Sequence, residues 1–89
     1  MKITFDSTKD TINIEKHGVS LSLGIELEWD SAITWRDNRH DYGEERMTGL
    51  ALIESRLYCV VYTDRGDSRR VISLRKANLR EVKRYVSEN

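Results

Sequence analysis

The chain has 89 residues, a length that fits one domain spanning 1–89 and that buries only roughly 60–65% of the surface its unfolded form exposes. Fifteen Lys and Arg balance fifteen Asp and Glu, so no bulk charge marks it for a polyanion, and its one cysteine excludes an internal disulfide and fits a reducing cytoplasm. No apolar run approaches the ~20 residues of a membrane span, and Met1-Lys2-Ile3 leads into polar sequence rather than a signal core, so neither insertion nor export is expected.

Residues 3–5 read as a short strand. Asp6 or Ser7 then caps a helix that runs to His17, where Gly18 supplies the left-handed residue that ends it. Its apolar members are few, chiefly Ile12 and Ile14, so it belongs on the surface with Lys9, Lys16 and His17. Val19 and Ser20 open a second short helix with Leu21, Ile25 and Leu27 or Glu28 at near-helical spacing; Trp29 closes the core and Asp30-Ser31 breaks the helix. A strand over 32–35 follows, then a polar loop over 37–43, long enough to be functional rather than merely connective. Residues 47–53 and 57–63 are strands joined across Glu54-Ser55-Arg56, and 64–67 turn into a strand over 68–74. Consecutive strands with such short connections pair antiparallel. Cys59, inside the apolar run 58–62, fits a small buried hydrophobe.

The last third concentrates the cations. Asn78 has a short side-chain acceptor for first-turn amides, and Glu81 can reach back to the Asn78 amide, so a capped helix starts at Leu79. Upstream, Val71, Ile72 and Leu74 favour extended chain. Arg70 and Arg75 flank this strand five residues apart, which puts them on opposite faces of a flat strand; they converge only if Arg75 lies past its end. Residues 1–45 carry a net charge of −5 (five basic, ten acidic) and residues 46–89 a net of +5 (ten basic, five acidic), which either presents a basic face to a polyanion or neutralises internally. The expected fold is α+β: an antiparallel sheet of about four strands, two N-terminal helices and one C-terminal helix, with the helices covering one sheet face.

Phe5-Asp6 with Lys9 and Asn13, then Lys16-His17-Gly18-Val19, Asp41-Tyr42-Gly43-Glu44 with Arg46, Tyr58 to Tyr62, and Arg70-Val71-Ile72-Ser73 with Arg75, Ala77, Glu81 and Tyr85 run in this order over nearly the whole chain. Together they resemble the BrnT-type ribonuclease toxins of bacterial type II toxin–antitoxin pairs. The resemblance implies a RelE-like α+β fold, metal-independent RNA cleavage, growth arrest, and neutralisation by a ribbon-helix-helix antitoxin in a two-plus-two complex that binds operator DNA through the antitoxin. The chain departs from the family in its zero net charge and in Ala51, where the family commonly has Gly.

Cleaving RNA without a metal requires the 2′-hydroxyl to attack the adjacent phosphate, so the site needs a base, an acid and cations for the charge building on phosphorus. Arg46, Arg70 and Arg75 are the candidates for that charge, unless each is a surface ion pair with Glu44 or Glu81. His17 either transfers protons or gains from the negative end of its helix dipole. Lys16 is a further proton-transfer candidate, and Glu44 either acts as base or pairs across strands. Arg69, Lys76 and Tyr62 are candidates for RNA binding, Tyr62 by stacking on a base, whereas Tyr58 packs and His40 is an ordinary loop residue. No His, Cys, Asp or Glu cluster has metal-ligand spacing, and Gly43 and Gly49 lack the Lys-Ser/Thr of a phosphate loop, so no metal or cofactor is expected. The reading is a cytoplasmic endoribonuclease toxin with an RNA substrate and an antitoxin partner. A reading from another class is a non-catalytic module that docks RNA or an acidic protein through its basic half.

Overall fold

In the computed structural model, which describes residues 1–39 and 41–89, five strands form one mixed sheet. They are β1 (Lys2–Thr4), β2 (Ile33–Arg36), β3 (Met47–Ile53), β4 (Arg56–Arg65) and β5 (Ser68–Lys76), in spatial order β1-β5-β4-β3-β2. His40 lies outside the described residues. The run β2 to β5 is the expected antiparallel meander. β1 corrects the expectation of an all-antiparallel sheet of four strands, because it pairs parallel with β5, Lys2 opposite Ser68 and Thr4 opposite Arg70. The two partners stand at opposite ends of the chain, so no local pattern signals their pairing.

Period-two alternation gives the sheet two apolar faces. Val60, Tyr62, Val71, Leu74 and Ala51 pack with Val19, Leu21 and Leu27 on one side, and Leu50, Leu57, Cys59 and Ala77 pack with Trp35 and Tyr85 on the other. Leu21, Leu50 and Leu74 are fully buried, each contributing about 1.5–3 kcal/mol of transfer free energy. The first face is covered by two 3-10 segments, Leu21–Glu26 and Trp29–Ser31, where a second α-helix was expected. The tighter coil seats Gly24 on β5, where a Cβ would lie 2.8 Å from Val71 Cγ2. The second face is covered by α2 (Leu79–Glu88), so the helices do not share one face as expected. The reason is Ala77: its amide donates to Leu57 O at 3.0 Å and its methyl enters the second core, which turns the chain onto that side immediately after β5.

The first helix, α1 (Ser7–His17), is held by a polar anchor. Asp6 caps it by accepting from Thr8 N and Lys9 N, and Gly18 ends it at φ 70°. Asn13 is its one buried residue. The carboxamide donates to Leu74 O at 2.7 Å and Val19 O at 2.8 Å and accepts from Leu74 N at 3.2 Å, completing the edge of β5 beyond the point where β1 stops. α2 carries both halves of the expected capping box, Asn78 with Glu81. Tyr85 reaches Ser31 O at 3.2 Å, while Leu79, Val82 and Val86 stay exposed. Among the described residues no helix is long and apolar enough to cross a membrane.

Candidate nucleic-acid interface

A β-bulge decides which cations share a face. Ser73 pairs with Val61 but Val71 pairs with Tyr62, leaving Ile72 as the extra residue of β5. Beyond the bulge the register continues with Arg70 opposite Thr63, and before it Arg75 stands opposite Cys59. Paired residues share a face, so Arg70, Ser73 and Arg75 all project on the side of Cys59, Val61 and Thr63. The expectation of opposite faces fails because the extra residue changes the parity between the two arginines. Arg75 also lies within β5, so the shared face owes nothing to the strand's end.

Ser73 and Arg75 floor a groove on the face that α2 covers only in part. Trp35, Thr48, Val61, Ser73 and Arg75 line a hollow of ≈ 640 Å³, with Asp37 and Arg39 on one rim and Glu81 at the α2 end. Ser73 and Ile72 continue it to the sheet edge, where Lys9, Lys16 and His17 of α1 line a second hollow of ≈ 180 Å³. Arg46 lines a third hollow with Asp37, Tyr42 and Glu44, and Asp37 borders both this one and the first. Among the described residues no three His, Cys, Asp or Glu side chains converge as a metal set.

Each arginine on this side has a carboxylate partner. Arg75 donates through Nη1 and Nη2 to the two oxygens of Glu81, both at 2.8 Å, which holds the Glu81 carboxyl below its usual range. Arg70 Nη2 lies 3.5 Å from Asp6 Oδ2; that carboxyl is lowered first by the amides of Lys9 and Thr8 and further by Arg70. Arg46 lies over the Tyr42 ring at 4.0 Å, and its buried Nε is 3.5 Å from Glu44 Oε2 without hydrogen-bond geometry. Glu44 accepts from Arg65 at 2.7 Å and is held below the usual carboxylate range by Arg65, with Arg46 adding to the effect. The Cys59 thiol beneath the groove is pushed up to about 11 by burial.

The remaining expected RNA contacts fall on the opposite face. Arg69 pairs with Asp64 in register and bonds its carboxylate at 2.7 and 2.9 Å; its guanidinium lies 4.6 Å from the Trp29 ring and 4.3 Å from the Tyr62 ring. Tyr62 is 3% exposed and meets Trp29 edge-on at 5.2 Å, so it has no face to offer a base. Lys76, opposite Tyr58, is exposed on that same far side. Arg70, Ser73 and Arg75 thus share one face, Ser73 and Arg75 in its groove, with Lys16 and His17 in the hollow at the edge and Arg46 in the one beyond Asp37. Arg69, Tyr62 and Lys76 do not. Sequence reasoning singled out neither Ser73 nor the pair Asp37 and Arg39; the only signal for the pair was the length and polarity of their loop.

Compared with known proteins, residues 5–81 match the family described as "Ribonuclease toxin, BrnT, of type II toxin-antitoxin system". Among solved structures the chain is similar to the 1.1 Å crystal structure of the Brucella abortus ribonuclease toxin, BrnT. The TM-score is 0.68 at 25% identity, over 88% of this chain and 97% of that one. Among the curated proteins none matches.

Proposed function

Because the chain belongs to the BrnT family of ribonuclease toxins of type II toxin–antitoxin systems, we propose that its open sheet face is a metal-independent endoribonuclease site that cuts cellular RNA in the cytoplasm and arrests growth. The observation that carries this reading is the bulge at Ile72, which puts Arg70, Ser73 and Arg75 on one face of the sheet, with Ser73 and Arg75 lining its groove and Ser73 also bordering the hollow beside α1. Arg70 and Arg75 hold the non-bridging oxygens of the scissile phosphate, and Arg46 contributes from the adjoining hollow. The 2′-oxygen attacks phosphorus, the 5′-oxygen leaves with a proton, and a 2′,3′-cyclic phosphate results. His17 is our first choice for proton transfer, since one imidazole can take a proton and return it; Lys16 lies beside it in the same hollow. Glu44 ranks behind them as a base because two arginines stabilise its charged form, and it serves instead to hold Arg46 and Arg65.

A second reading, a non-catalytic module that binds RNA or an acidic protein, draws on one observation: Arg46, Arg70 and Arg75 each already face a carboxylate. A phosphate entering the groove must compete for them. Incubating the purified protein with naked RNA in EDTA separates the two. The toxin reading expects cleavage with 2′,3′-cyclic or 3′-phosphate ends and no action on DNA of the same sequence. Binding without cleavage supports the module.

Toxins of type II systems have an antitoxin partner, and we infer a ribbon-helix-helix protein in a two-plus-two complex that also sits on operator DNA. The support is a surface suited to it: exposed Leu79, Val82 and Val86 on α2, interleaved with Arg80, Lys83 and Arg84 in the basic half of the chain. An acidic amphipathic segment matches that pattern. Light scattering on the co-expressed pair checks the stoichiometry, a one-to-one particle refuting it, and raised salt should weaken association.

A further inference from the structure

Asp37, immediately after β2, is the buried carboxylate that none of the roles above uses. Its side chain is 2% exposed, yet it accepts four hydrogen bonds: from Arg39 N at 3.2 Å, Arg39 Nε at 2.9 Å, Arg39 Nη2 at 2.8 Å and Tyr42 Oη at 3.3 Å. The Arg39 side chain that it grips is 71% exposed. An ion pair so open on one side adds little to stability, because water screens the cation and the long side chain loses freedom in forming it. Burying a carboxylate, by contrast, is costly unless it is fully paired. The arrangement therefore makes poor sense as a stabilising bridge. It makes better sense as a mount, in which a rigid acceptor fixes one edge of a planar guanidinium and leaves the other edge turned outward. Nε and Nη2 of Arg39 bond Asp37 and Tyr42 also interacts with the same guanidinium, yet 71% of the Arg39 side chain stays exposed.

The mounted edge borders the same groove as Arg75 and Ser73. Arg75 is built on the same plan, with Glu81 holding it through two bonds from the α2 end. Two carboxylate-backed guanidiniums thus border one hollow, one from the loop after β2 and one from β5. Resting on the reading of this groove as an RNA site, we propose that Arg39 forms a second phosphate subsite, gripping a phosphodiester that flanks the scissile one, and that Asp37 is the positioning residue that aims it. A phosphate rather than a base edge is the ligand, since the subsite borders a groove whose neighbouring arginine already defines a track for the backbone.

The test measures binding by fluorescence anisotropy to 2′-O-methyl oligonucleotides, which lack the attacking hydroxyl and stay intact, using uniform A, C and U sequences and one containing G over a range of salt. Arg39→Ala is expected to weaken binding about tenfold on every sequence and to flatten the salt dependence by about 0.7 in log–log slope, the release of one phosphate contact on a single strand. Arg39→Lys should recover most of the affinity. Asp37→Asn should lose less than Arg39→Ala, and the double variant should be no worse than Arg39→Ala alone, which a merely structural role for Asp37 would not give. Unchanged affinity and slope for Arg39→Ala overturn the proposal, as does loss confined to the G-containing oligonucleotide, which would make Arg39 a base reader, or failure of the wild type to bind at all. Cleavage of unmodified RNA by the wild type is scored separately, so a protein that cuts RNA with an inert Arg39 sinks the subsite and leaves the ribonuclease reading standing.

Discussion

Arg69 and Arg70 are neighbours in sequence and opposites in the fold. Arg69 is closed in, its guanidinium set against Trp29 and Tyr62 and its Nε and Nη2 bonded to Asp64. Arg70 stands on the other face with one loose partner, Asp6 at 3.5 Å, on the side that carries Ser73 and Arg75. The same side chain serves as packing material on one face and as an available cation on the other. Counting arginines therefore says little about which of them are open to a ligand; the parity of β5 and the partners on each face decide it.

The comparison breaks most visibly on the open face. On the proposed assignment, replacing Arg75 with alanine removes a charged contact to the phosphate, and the loss of one such contact typically costs about 10²–10³ in rate. The expected outcome is a folded protein that no longer arrests growth, read from colony counts on induction and from circular dichroism of the purified variant. Near-normal toxicity would move the site away from the groove.

Asn13 joins the two faces, since it fixes α1, with Lys16 and His17, to the edge of β5. Asn13→Ala leaves the Leu74 amide, the Leu74 carbonyl and the Val19 carbonyl without their partner. Stability should fall by about 2–3 kcal/mol, measured by urea unfolding, because unpaired buried polar groups cost about 1–3 kcal/mol each and the edge admits some water.

On the closed face, Arg69→Ala should lower stability by about 1–2 kcal/mol through lost stacking on two rings, a thermal shift of several degrees for a domain this size. The smallest expected effect lies at α2. The Glu81 carboxyl is lowered from its ordinary 4.5, chiefly by Arg75. Its contribution is therefore fully present above about pH 4.5 and is lost as pH falls through the lower folded value. With Arg75 more than a third exposed, solvent screening keeps this below about 1 kcal/mol. Glu81→Gln should abolish that part of the acid slope in a pH series of melting temperatures.

Much of the scaffold was legible because its signals are local. The bounds 47–53 for β3, the capping box that starts α2 at Leu79 and the glycine that ends α1 all follow from side chains within a few residues of the feature. What was missed depends on distant partners. β1 finds β5 across the length of the chain, and Ala77 sends α2 to the second face through a contact with Leu57. At the site, the arginines were recognisable as residue types but their faces were not. Ile72 is as good a strand former as Val71, so nothing in its chemistry marks it as the bulged residue. Asn13 had a clue, a poor helix former in mid-helix, whereas Tyr62 looked available to a base only because Trp29 packs on it from elsewhere in the sequence.

The most direct test compares Arg69→Ala with Arg70→Ala in cleavage of one RNA in EDTA, at a temperature where both variants remain folded. The account predicts that Arg70→Ala loses about 10²-fold or more in rate while Arg69→Ala stays within about threefold of the wild type. Equal losses, or a greater loss for Arg69→Ala, would contradict the assignment of cleavage to the face carrying Arg70, Ser73 and Arg75.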